Sequence, residues 1–392
     1  MVYGFKELVT DSRTGLNPRR NFVLGNGDNY YITIKDIYNG KINFSDKTDK
    51  VDDAAIQIIK RRSRIKIGDV LFVSIGRIGE TAIVAEKDDS WDVNESVFVF
   101  SLNMDIIIPE YFCILFQSDA VRQYLIGNSS GSTFKSIKMN QLEKMTFDLP
   151  PIEQQRQIAM VLSAIKGLIA SRKDQLLALD TLIKARFVEM FGTFPTNEKG
   201  WKTGTIRDLV TDVRYGSSRK AADGDSGQYP YLRMNNITYE GELDISDIKT
   251  IDIPDEELPK CTVRRGDVLF NRTNSKELVG KSCVYNRGEM MVLAGFVIRV
   301  RLNGRMLPEM LSAFLNTSFS KQMLLGLCKA AIGQANINAQ EMQNIGIYIP
   351  PIECQKEFVD FKAQVDKSKA VVQKALDEAQ TLFDSLMQQY FG

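Results

Sequence analysis

One polar segment of the sequence carries the side chains that nucleic-acid binding requires. Arg272, Thr273, Asn274 and Lys276 follow a short apolar run in the second half of the chain. Arginine can donate two hydrogen bonds to a guanine and asparagine can pair with an adenine, whereas Thr, Ser and Lys suit phosphates. This segment therefore combines base-reading and phosphate-binding groups, and it is our first candidate for a DNA contact.

Further polar or basic segments extend the candidate surface. The densest one, Lys60–Lys66, holds five cations in seven residues, and we interpret it as a loop. The predicted DNA-binding residues outside the first segment are Arg19, Arg20, Arg61, Arg62, Arg64, Arg77, Ser132, Thr133, Lys135, Arg214, Ser217, Arg219, Lys220, Gln334 and Asn336. A net charge of only +1 means that any DNA-binding face must come from such local patches.

The composition argues against catalysis and against a metal site. The chain has no histidine, so it lacks His-dependent nucleophiles, general bases and metal ligands. Its five cysteines are scattered without a Cys-x-x-Cys pair, which argues against a zinc site and a disulfide framework. We expect a cytoplasmic chain with reduced thiols, no membrane span, and no catalytic or metal-binding residues.

The chain is an internal duplication with an offset of about 200 residues. The clearest repeated pieces are Leu149-Pro150-Pro151-Ile152-Glu153-Gln154-Gln155 with Ile349-Pro350-Pro351-Ile352-Glu353-Cys354-Gln355, Gly68-Asp69-Val70-Leu71-Phe72 with Gly266-Asp267-Val268-Leu269-Phe270, and Phe191-Gly192 with Phe391-Gly392. Anchors in the same order with nearly equal offsets predict two consecutive copies of one unit.

Each copy divides at its Pro-Pro pair into a mixed domain and a helix. Short β-rich runs alternate with Gly-rich turns, and one helical stretch is expected in each domain, over 109–125 and 308–327. The predicted fold class is α+β. The predicted divisions are a first target-recognition domain over 1–148, a helix over 149–192, a second domain over 193–348 and a helix over 349–392.

The two predicted helices carry heptad-like seams of apolar residues. The residues that we expect to pair the helices are Ile158, Leu162, Ile165, Ile169, Leu176, Leu179, Ile183, Val365, Val372, Leu376, Ala379, Phe383 and Leu386. Charged residues interrupt the seams, Arg172 and Arg186 in the first and Lys362 and Lys369 in the second. One interpretation is that each helix packs only on its own domain. We favour an antiparallel coiled coil, because roughly 60 Å of helix is too long to bury on one small domain.

The polar segments differ between the copies while the framework segments match. In the first copy Ser74–Gly79 corresponds to the Arg272 segment but is shorter and less polar. Any one polar loop is more often a solvated surface than a binding site. Three such loops lie at matching places in the two copies, at 74–79 and 271–276, at 129–135 and 333–338, and at 14–20 and 214–220. Their repetition favours binding, and their differences predict an asymmetric, two-part DNA target with a spacing set by the helices.

Taken together, these motifs resemble the specificity subunits of type I restriction-modification systems. The resemblance covers the whole chain and rests on the two Pro-Pro-Ile-Glu-x-Gln helix starts, the two Gly-Asp-Val-Leu-Phe strands and the Gly333-x-x-Asn336-Ile337 segment. It implies a non-catalytic chain that binds double-stranded DNA, docks two DNA-adenine methyltransferase subunits and joins restriction/translocase subunits. S-adenosylmethionine, ATP and Mg would then be bound by partner chains. The first copy has Lys135-Ser136-Ile137 where the second has Ala335-Asn336-Ile337.

Three other functions are less well supported. A DNA methyltransferase needs an Asp/Asn-Pro-Pro-aromatic segment, whereas here isoleucine follows both Pro-Pro pairs. A metal-dependent nuclease is suggested only by Pro254, Asp255, Glu257 and Lys260, crowded into a predicted loop. A coiled-coil scaffold that organises partner proteins without reading DNA remains the main alternative, because the net charge is close to zero.

Overall fold

The computed structural model describes residues 1–131, 134–222, 226–331 and 334–392. The chain forms two compact units, unit 1 (Met1–Arg172 with Ala375–Gly392) and unit 2 (Lys173–Lys374). Each unit contains one mixed domain, and both long helices contribute residues to both units. The predicted α+β class and the internal duplication are confirmed.

The elements of the first domain fall between residues 2 and 148. Its strands are β1 (Val2–Gly4), β2 (Val9–Thr14), β3 (Asn29–Ile32), β4 (Ile37–Tyr38), β5 (Lys41–Ile42), β6 (Lys50–Val51), β7 (Val70–Val73), β8 (Thr81–Ile83), β9 (Trp91–Val93), β10 (Val97–Leu102) and β11 (Thr146–Asp148). Its helices are α1 (Phe5–Leu8), α2 (Asp53–Ser63), α3 (Pro109–Leu115), α4 (Asp119–Gly127) and α5 (Met139–Leu142), and the long helix α6 (Ile152–Phe191) follows.

The second domain repeats this order between residues 202 and 349. Its strands are β12 (Lys202–Thr205), β13 (Val210–Tyr215), β14 (Tyr229–Leu232), β15 (Lys249–Ile251), β16 (Val268–Asn271), β17 (Thr273–Asn274), β18 (Ser282–Val284), β19 (Val292–Leu293), β20 (Val297–Leu302), β21 (Lys329–Ala331), β22 (Gln334–Asn336) and β23 (Gly346–Ile349). Its helices are α7 (Leu258–Cys261), α8 (Pro308–Leu315), α9 (Ser318–Leu327) and α10 (Ala339–Gln343), followed by the long helix α11 (Ile352–Phe391).

Two sheets of each domain share the same topology. An antiparallel four-stranded sheet has the order β2-β10-β7-β8 in unit 1 and β13-β20-β16-β18 in unit 2. A three-stranded sheet with one parallel pair is β6-β3-β9 in unit 1 and β15-β14-β19 in unit 2. The duplication seen in the sequence is therefore a duplication of the fold.

The single helix predicted over 109–125 and over 308–327 is two helices in each domain. Ser118 precedes α4 in extended conformation, and Thr317 does the same before α9. The Thr317 hydroxyl accepts a hydrogen bond from the Ser320 backbone N–H, which makes it an N-cap. These polar residues end one helix and start the next, so that both helices turn their apolar faces into the same core.

The aspartate of each Gly-Asp-Val-Leu-Phe motif closes the turn before its strand. Asp69 accepts a hydrogen bond from the Lys66 backbone N–H at 2.8 Å, and Asp267 accepts one from that of Arg264 at 2.9 Å. In unit 1, Arg13 from β2 donates to the Asp69 carboxylate at 2.9 Å. In unit 2, Arg301 from β20 donates to that of Asp267 at 2.8 Å. Both aspartates are buried, so each needs a cationic partner, and the two domains take it from different strands.

The last glutamine of each repeated Pro-Pro motif joins its helix to its domain. Gln155 is fully buried; its amide nitrogen donates to the carbonyls of Ile106 and Pro150 at 2.8 and 2.9 Å. Its oxygen accepts from the Ile108 N–H at 3.2 Å. Gln355 makes the same three contacts with Arg305, Pro350 and Leu307, at 3.0, 2.8 and 2.8 Å. The motif is repeated because this side chain satisfies three buried backbone groups at once.

The start of one long helix lies beside the end of the other in each unit, so the helices are antiparallel. In unit 1, Phe383, Leu386 and Phe391 of α11 pack against the core that contains Ile158 and Leu162 of α6. In unit 2, the Phe358 ring of α11 lies 5.3 Å from that of Phe187 on α6. At these ends each helix packs both on the other helix and on a domain. Packing on a domain and pairing of the helices therefore occur together there.

Two of the charges that interrupt the seam in unit 2 form ion pairs between the helices, whereas Lys362 pairs with Asp366 of its own helix. Lys369 Nζ lies 2.6 Å from Asp180 Oδ1, and Arg186 Nη2 lies 2.8 Å from Glu357 Oε1. Lys369 also bonds to the carboxylate of Glu242, which belongs to the second domain. All thirteen apolar residues predicted to pair the helices are buried or partly buried. Charges paired at single positions of a seam specify its register. In the described ranges, no helix is both long and apolar enough to span a membrane.

We expect Gln155→Leu to lower the free energy of unfolding of the full chain by about 3 kcal/mol, because leucine leaves three buried backbone groups without a partner. Denaturant unfolding followed by circular dichroism measures the change. The exposed neighbour Gln154 provides the matched control, and Gln154→Leu should change the value by less than about 0.5 kcal/mol. Equal losses in the two variants would refute the assigned role.

Candidate nucleic-acid interface

The structure brings together two of the predicted binding segments in unit 2. Strand β17, directly after the end of β16, pairs antiparallel with β22, and Thr273 lies opposite Asn336. The Ile337 backbone N–H donates to the Arg272 carbonyl at 2.9 Å. Arg272 and Asn336 are 64 residues apart in the sequence, and their two segments form one continuous surface. We call this surface junction 2.

The Arg272 side chain is held in place at junction 2. Its Nε donates to Asn336 Oδ1 at 3.2 Å, and Nη1 has a long contact of 3.5 Å with the Gly295 carbonyl. The guanidinium carbon lies 4.8 Å from the centre of the Tyr215 ring. Among the described residues, Nη2 has no partner. Nη2 together with the weakly held Nη1 is therefore the edge of the fork that could bind a base.

The Asn336 side chain forms hydrogen bonds within the protein. Its side-chain oxygen accepts hydrogen bonds from Arg272 and from the Thr273 hydroxyl, at 3.2 and 2.9 Å. Thr273 is itself buried. These two predicted DNA-binding residues thus position Arg272, whereas Asn274 and the exposed Lys276 lie farther along the same segment. Gln334 is placed in β22.

Two aromatic residues at junction 2 were not predicted from the sequence. Tyr215 ends β13 with 41% of its surface exposed, and its hydroxyl accepts the Ala339 backbone N–H at 2.9 Å. Phe296 is 53% exposed, and its carbonyl accepts the Arg272 backbone N–H at 3.0 Å. Exposed rings beside an arginine can contact bases. The sequence could have indicated only Tyr215, because this residue lies within the predicted binding segment 214–220.

The third predicted segment of unit 2 is largely engaged in internal contacts. Arg219 forms a salt bridge with Glu257, with Nη2 2.6 Å from Oε1, and this contact raises the pKa of Arg219 and lowers that of Glu257. Ser217 is buried and its hydroxyl accepts the Arg219 N–H at 3.2 Å. Arg214 Nε lies 2.9 Å from Asp212, and Lys220 is exposed. Lys220, the outer edges of the two arginines and the exposed part of Tyr215 remain for a ligand.

The proposed carboxylate-lysine cluster at 254–260 also has a structural explanation. Glu257 stands immediately before α7 and Lys260 lies within it, so this segment is a turn and a short helix rather than a loop. Because Glu257 is occupied by Arg219, the cluster does not resemble a nuclease site. Among the described residues, no group of three or more His, Cys, Asp or Glu side chains is placed to hold a metal ion.

Unit 1 contains the equivalent junction, which we call junction 1. The Ile137 N–H donates to the Ser74 carbonyl and the Gly76 N–H donates to the Lys135 carbonyl, both at 2.9 Å. The first contact matches that between Ile337 and Arg272. Ser74 therefore occupies the position of Arg272, but it is buried and donates to the Ser96 carbonyl at 2.7 Å. Lys135 is exposed, while Ser132, Thr133 and Gly333 lie outside the described residues.

Arg77 at junction 1 links neighbouring loops. Its Nη2 donates to the carbonyls of Ile34 and Ile37 at 2.8 and 3.0 Å. Its guanidinium lies 5.7 Å from the centre of the Tyr38 ring. The residue is still exposed, so it can contact a ligand while it holds the loop.

The sequence predicts a loop for the basic run Lys60–Lys66, and this prediction is wrong. Its first four residues are the end of α2, and Arg64 follows in left-handed conformation with φ 46°. Basic residues are favoured in a last helical turn because they oppose its dipole. Arg62 Nε lies 3.4 Å from the Thr14 hydroxyl, which places the run beside the predicted segment that contains Arg19 and Arg20. Arg19, Arg20, Arg61, Arg62 and Arg64 are exposed.

Comparisons with known proteins agree with this arrangement. A family model described as the type I restriction modification DNA specificity domain matches residues 6–179 and again residues 198–380. The specificity subunit of the type I restriction enzyme EcoKI from Escherichia coli K12 is 23% identical over 374 residues, which cover 91% of this chain and 79% of that protein. The StySPI specificity subunit from Salmonella potsdam is also 23% identical, over 375 residues, with the same coverage of both chains.

Two solved structures are similar in fold. One is the crystal structure of the type I restriction-modification S subunit from M. genitalium, with a TM-score of 0.57 at 12% identity, covering 100% of this chain and 96% of that one. The other, from work on complex assembly and conformational transition of the type I R-M system, has a TM-score of 0.57 at 18% identity, covering 100% and 97%. With both of its halves matched by the family model, the chain belongs to the family of type I restriction-modification DNA specificity subunits.

Proposed function

We propose that each domain of this specificity subunit reads one half of a split, asymmetric DNA site. The observation that carries the proposal is that the same backbone junction occurs in both units with different side chains. Junction 2 presents a positioned arginine, whereas junction 1 has a buried serine in its place and a lysine nearby. Two readers that share a frame but differ in these side chains would select different bases.

We further propose that the paired helices set the distance between the half-sites. Lys369 supports this role, because one partly buried ammonium group contacts Asp180 on α6 and Glu242 in the second domain. A charge shared between the two helices and a reading domain would resist sliding of one helix along the other, and it would limit rotation of that domain on them.

In this proposal the chain recognises DNA and its partners carry out the chemistry. Two DNA-adenine methyltransferase subunits would supply S-adenosylmethionine-dependent methylation. Restriction/translocase subunits would supply ATP- and Mg-dependent translocation and cleavage. The chain itself would bind no cofactor, and it would act in the cytoplasm, where its five cysteines would stay reduced as the free thiols they are here. The scaffold alternative is not favoured by membership in a DNA-specificity family.

The direct test is methylation mapping in cells that carry this chain with its neighbouring methyltransferase, compared with cells that lack only this chain. We expect a new split motif with two different halves that disappears with the chain. An unchanged methylation pattern, with the chain still bound to its methyltransferase, would support the scaffold alternative.

We expect Arg272→Ala to weaken binding of the cognate DNA by about 1–3 kcal/mol and to relax one position of one half-site. Arg272→Lys should lose the same selectivity, because lysine keeps the charge but not the fork. Methylation mapping and DNA titration with the methyltransferase complex measure both effects.

The control for Arg272 is Arg265→Ala, which removes an exposed arginine from the turn before β16 in the same domain. It should leave the recognised motif unchanged. If Arg272→Lys restores full selectivity, Arg272 contacts a phosphate and does not read a base.

Shortening both helices by one heptad should shorten the spacer and leave both half-sites intact. Because Lys369 contacts Asp180, the matched deletions are 173–179 in α6 and 370–376 in α11. Seven residues of helix correspond to roughly 10 Å, which is about three base pairs. Replacing the two segments with other heptads of equal length is the control and should keep the spacer. A spacer that survives the deletions would show that other parts of the complex set it.

A further inference from the structure

A group of lysines in unit 2, away from the Arg272 side chain, has too few carboxylates to balance it. Lys281 directly precedes β18 and has only 7% of its surface exposed. Within the described ranges, its ammonium group has no hydrogen bond or salt bridge. The acidic side chain near it is Glu240. A largely buried lysine loses part of the hydration of its ammonium group, and proteins normally give such a group a close counter-charge.

A second lysine adds to this imbalance. Lys321 on α9 donates to the Gly280 carbonyl at 3.1 Å, and its Nζ lies 5.6 Å from the centre of the Tyr239 ring. Burial lowers the pKa of Lys321 to about 8, with Lys281 and Lys184 acting in the same direction and Glu240 opposing them. Lys281 and Lys321 therefore share the carboxylate of Glu240, which is on an exposed residue.

Unit 1 shows that the fold does not require this charge. Gly79 and Gly280 both have positive φ, and a Cβ on either would meet the Cδ1 of Leu125 or Leu324, respectively. Glu80 therefore occupies the position of Lys281, and Arg122 that of Lys321. Burial lowers the pKa of the nearby Lys166, and Glu80 is one of the groups that oppose this shift, so in unit 1 a carboxylate partly balances the cations. The reversal from glutamate to lysine is specific to unit 2.

The lysines surround the base of the loop that carries Arg272. The Gly280 N–H donates to the Asn271 carbonyl, and the Asn271 N–H donates to the Lys281 carbonyl, both at 2.8 Å. These bonds close the loop at the residues where Lys281 and Lys321 lie. An anion bound there would be held at the root of the loop.

We propose that Lys281 and Lys321 form a binding site for a phosphate-type oxyanion at the root of the Asn271–Gly280 loop. A phosphate group brings at least one negative charge and several acceptor oxygens, which would match the ammonium donors of Lys281, just before β18, and of Lys321 on α9. Both a DNA backbone phosphate and a free phosphate have this chemistry. The site does not depend on base reading by Arg272.

The test is chemical labelling of Lys321 in the full chain with limiting acetic anhydride, read residue by residue by mass spectrometry. A lysine with a pKa of about 8 is about half in its reactive neutral form at pH 8, and a bound anion both covers it and raises its pKa. We expect inorganic phosphate to reduce labelling of Lys321 about tenfold compared with chloride at equal ionic strength. The exposed Lys276 serves as the internal control and should not change.

The Lys281→Met variant identifies the site. Methionine preserves the size of the side chain and removes an unbalanced buried charge, so this variant should fold, and phosphate should no longer protect Lys321. The control is Arg122→Met, at the place in unit 1 that corresponds to Lys321, which should leave protection of Lys321 intact. Protection that persists in Lys281→Met would overturn the proposed site.

The source of the anion is distinguished in the complex with the methyltransferase. If cognate DNA protects Lys321 without added phosphate, and Lys281→Met reduces the salt slope of DNA binding by about 1, the anion is a backbone phosphate. If only inorganic phosphate protects, the anion is a free phosphate. If neither protects Lys321 in the wild-type chain, the proposal fails, whatever the methylation maps show about the recognised motif.

Discussion

A single buried glutamine in each unit joins the recognition domain to the first turn of its long helix. The amide of Gln155 or Gln355 donates two hydrogen bonds and accepts one, and all three partners are backbone groups on either side of the joint. No other uncharged side chain of this size both donates twice and accepts. The direction in which a helix leaves its domain is set at this turn, and a small angular error there would grow along roughly 60 Å of helix. Helix pairing and the placement of the reading surface both depend on this joint.

The framework tolerates movement of its charges as long as each buried carboxylate keeps a partner. Asp69 is balanced by Arg13 from one strand, and Asp267 by Arg301 from another. Arg299, also buried, is paired with Asp212 at 2.7 Å. The backbone of the four-stranded sheet is the same in both units because hydrogen bonding and apolar packing define it. The polar residues around it could therefore diverge, and with them the chemistry presented at junctions 1 and 2.

The long helices were predicted well from the sequence, whereas the breaks between shorter helices were not. Pro-Pro pairs and apolar periodicity were sufficient to predict the long helices, because proline favours a first turn and a seam repeats along the helix axis. The breaks before Ser118 and Thr317 were missed, since apolar residues continue on both sides of each cap. Lys60–Lys66 was interpreted as a loop because of its high charge. The helix that contains its first residues is indicated instead by Ile56 and Ile59, which are buried on the inner face of α2. Tyr215 and Phe296 were missed because an aromatic residue next to a strand usually indicates a core position.

The sequence by itself determined the duplication, the α+β class of each copy, the antiparallel pair of helices and the resemblance to specificity subunits, because all of these rest on repeated motifs and short-range periodicity. Only the tertiary structure decided which polar residues meet. Arg272 depends on Asn336 and Tyr215, and Lys369 on Asp180 and Glu242, partners that are distant in the chain. Strand pairing and helix packing bring such residues together, and a local pattern holds no information about long-range register. For the same reason a charge such as Lys281 looks ordinary in the sequence, and its lack of a close counter-charge becomes visible only when its neighbours are known.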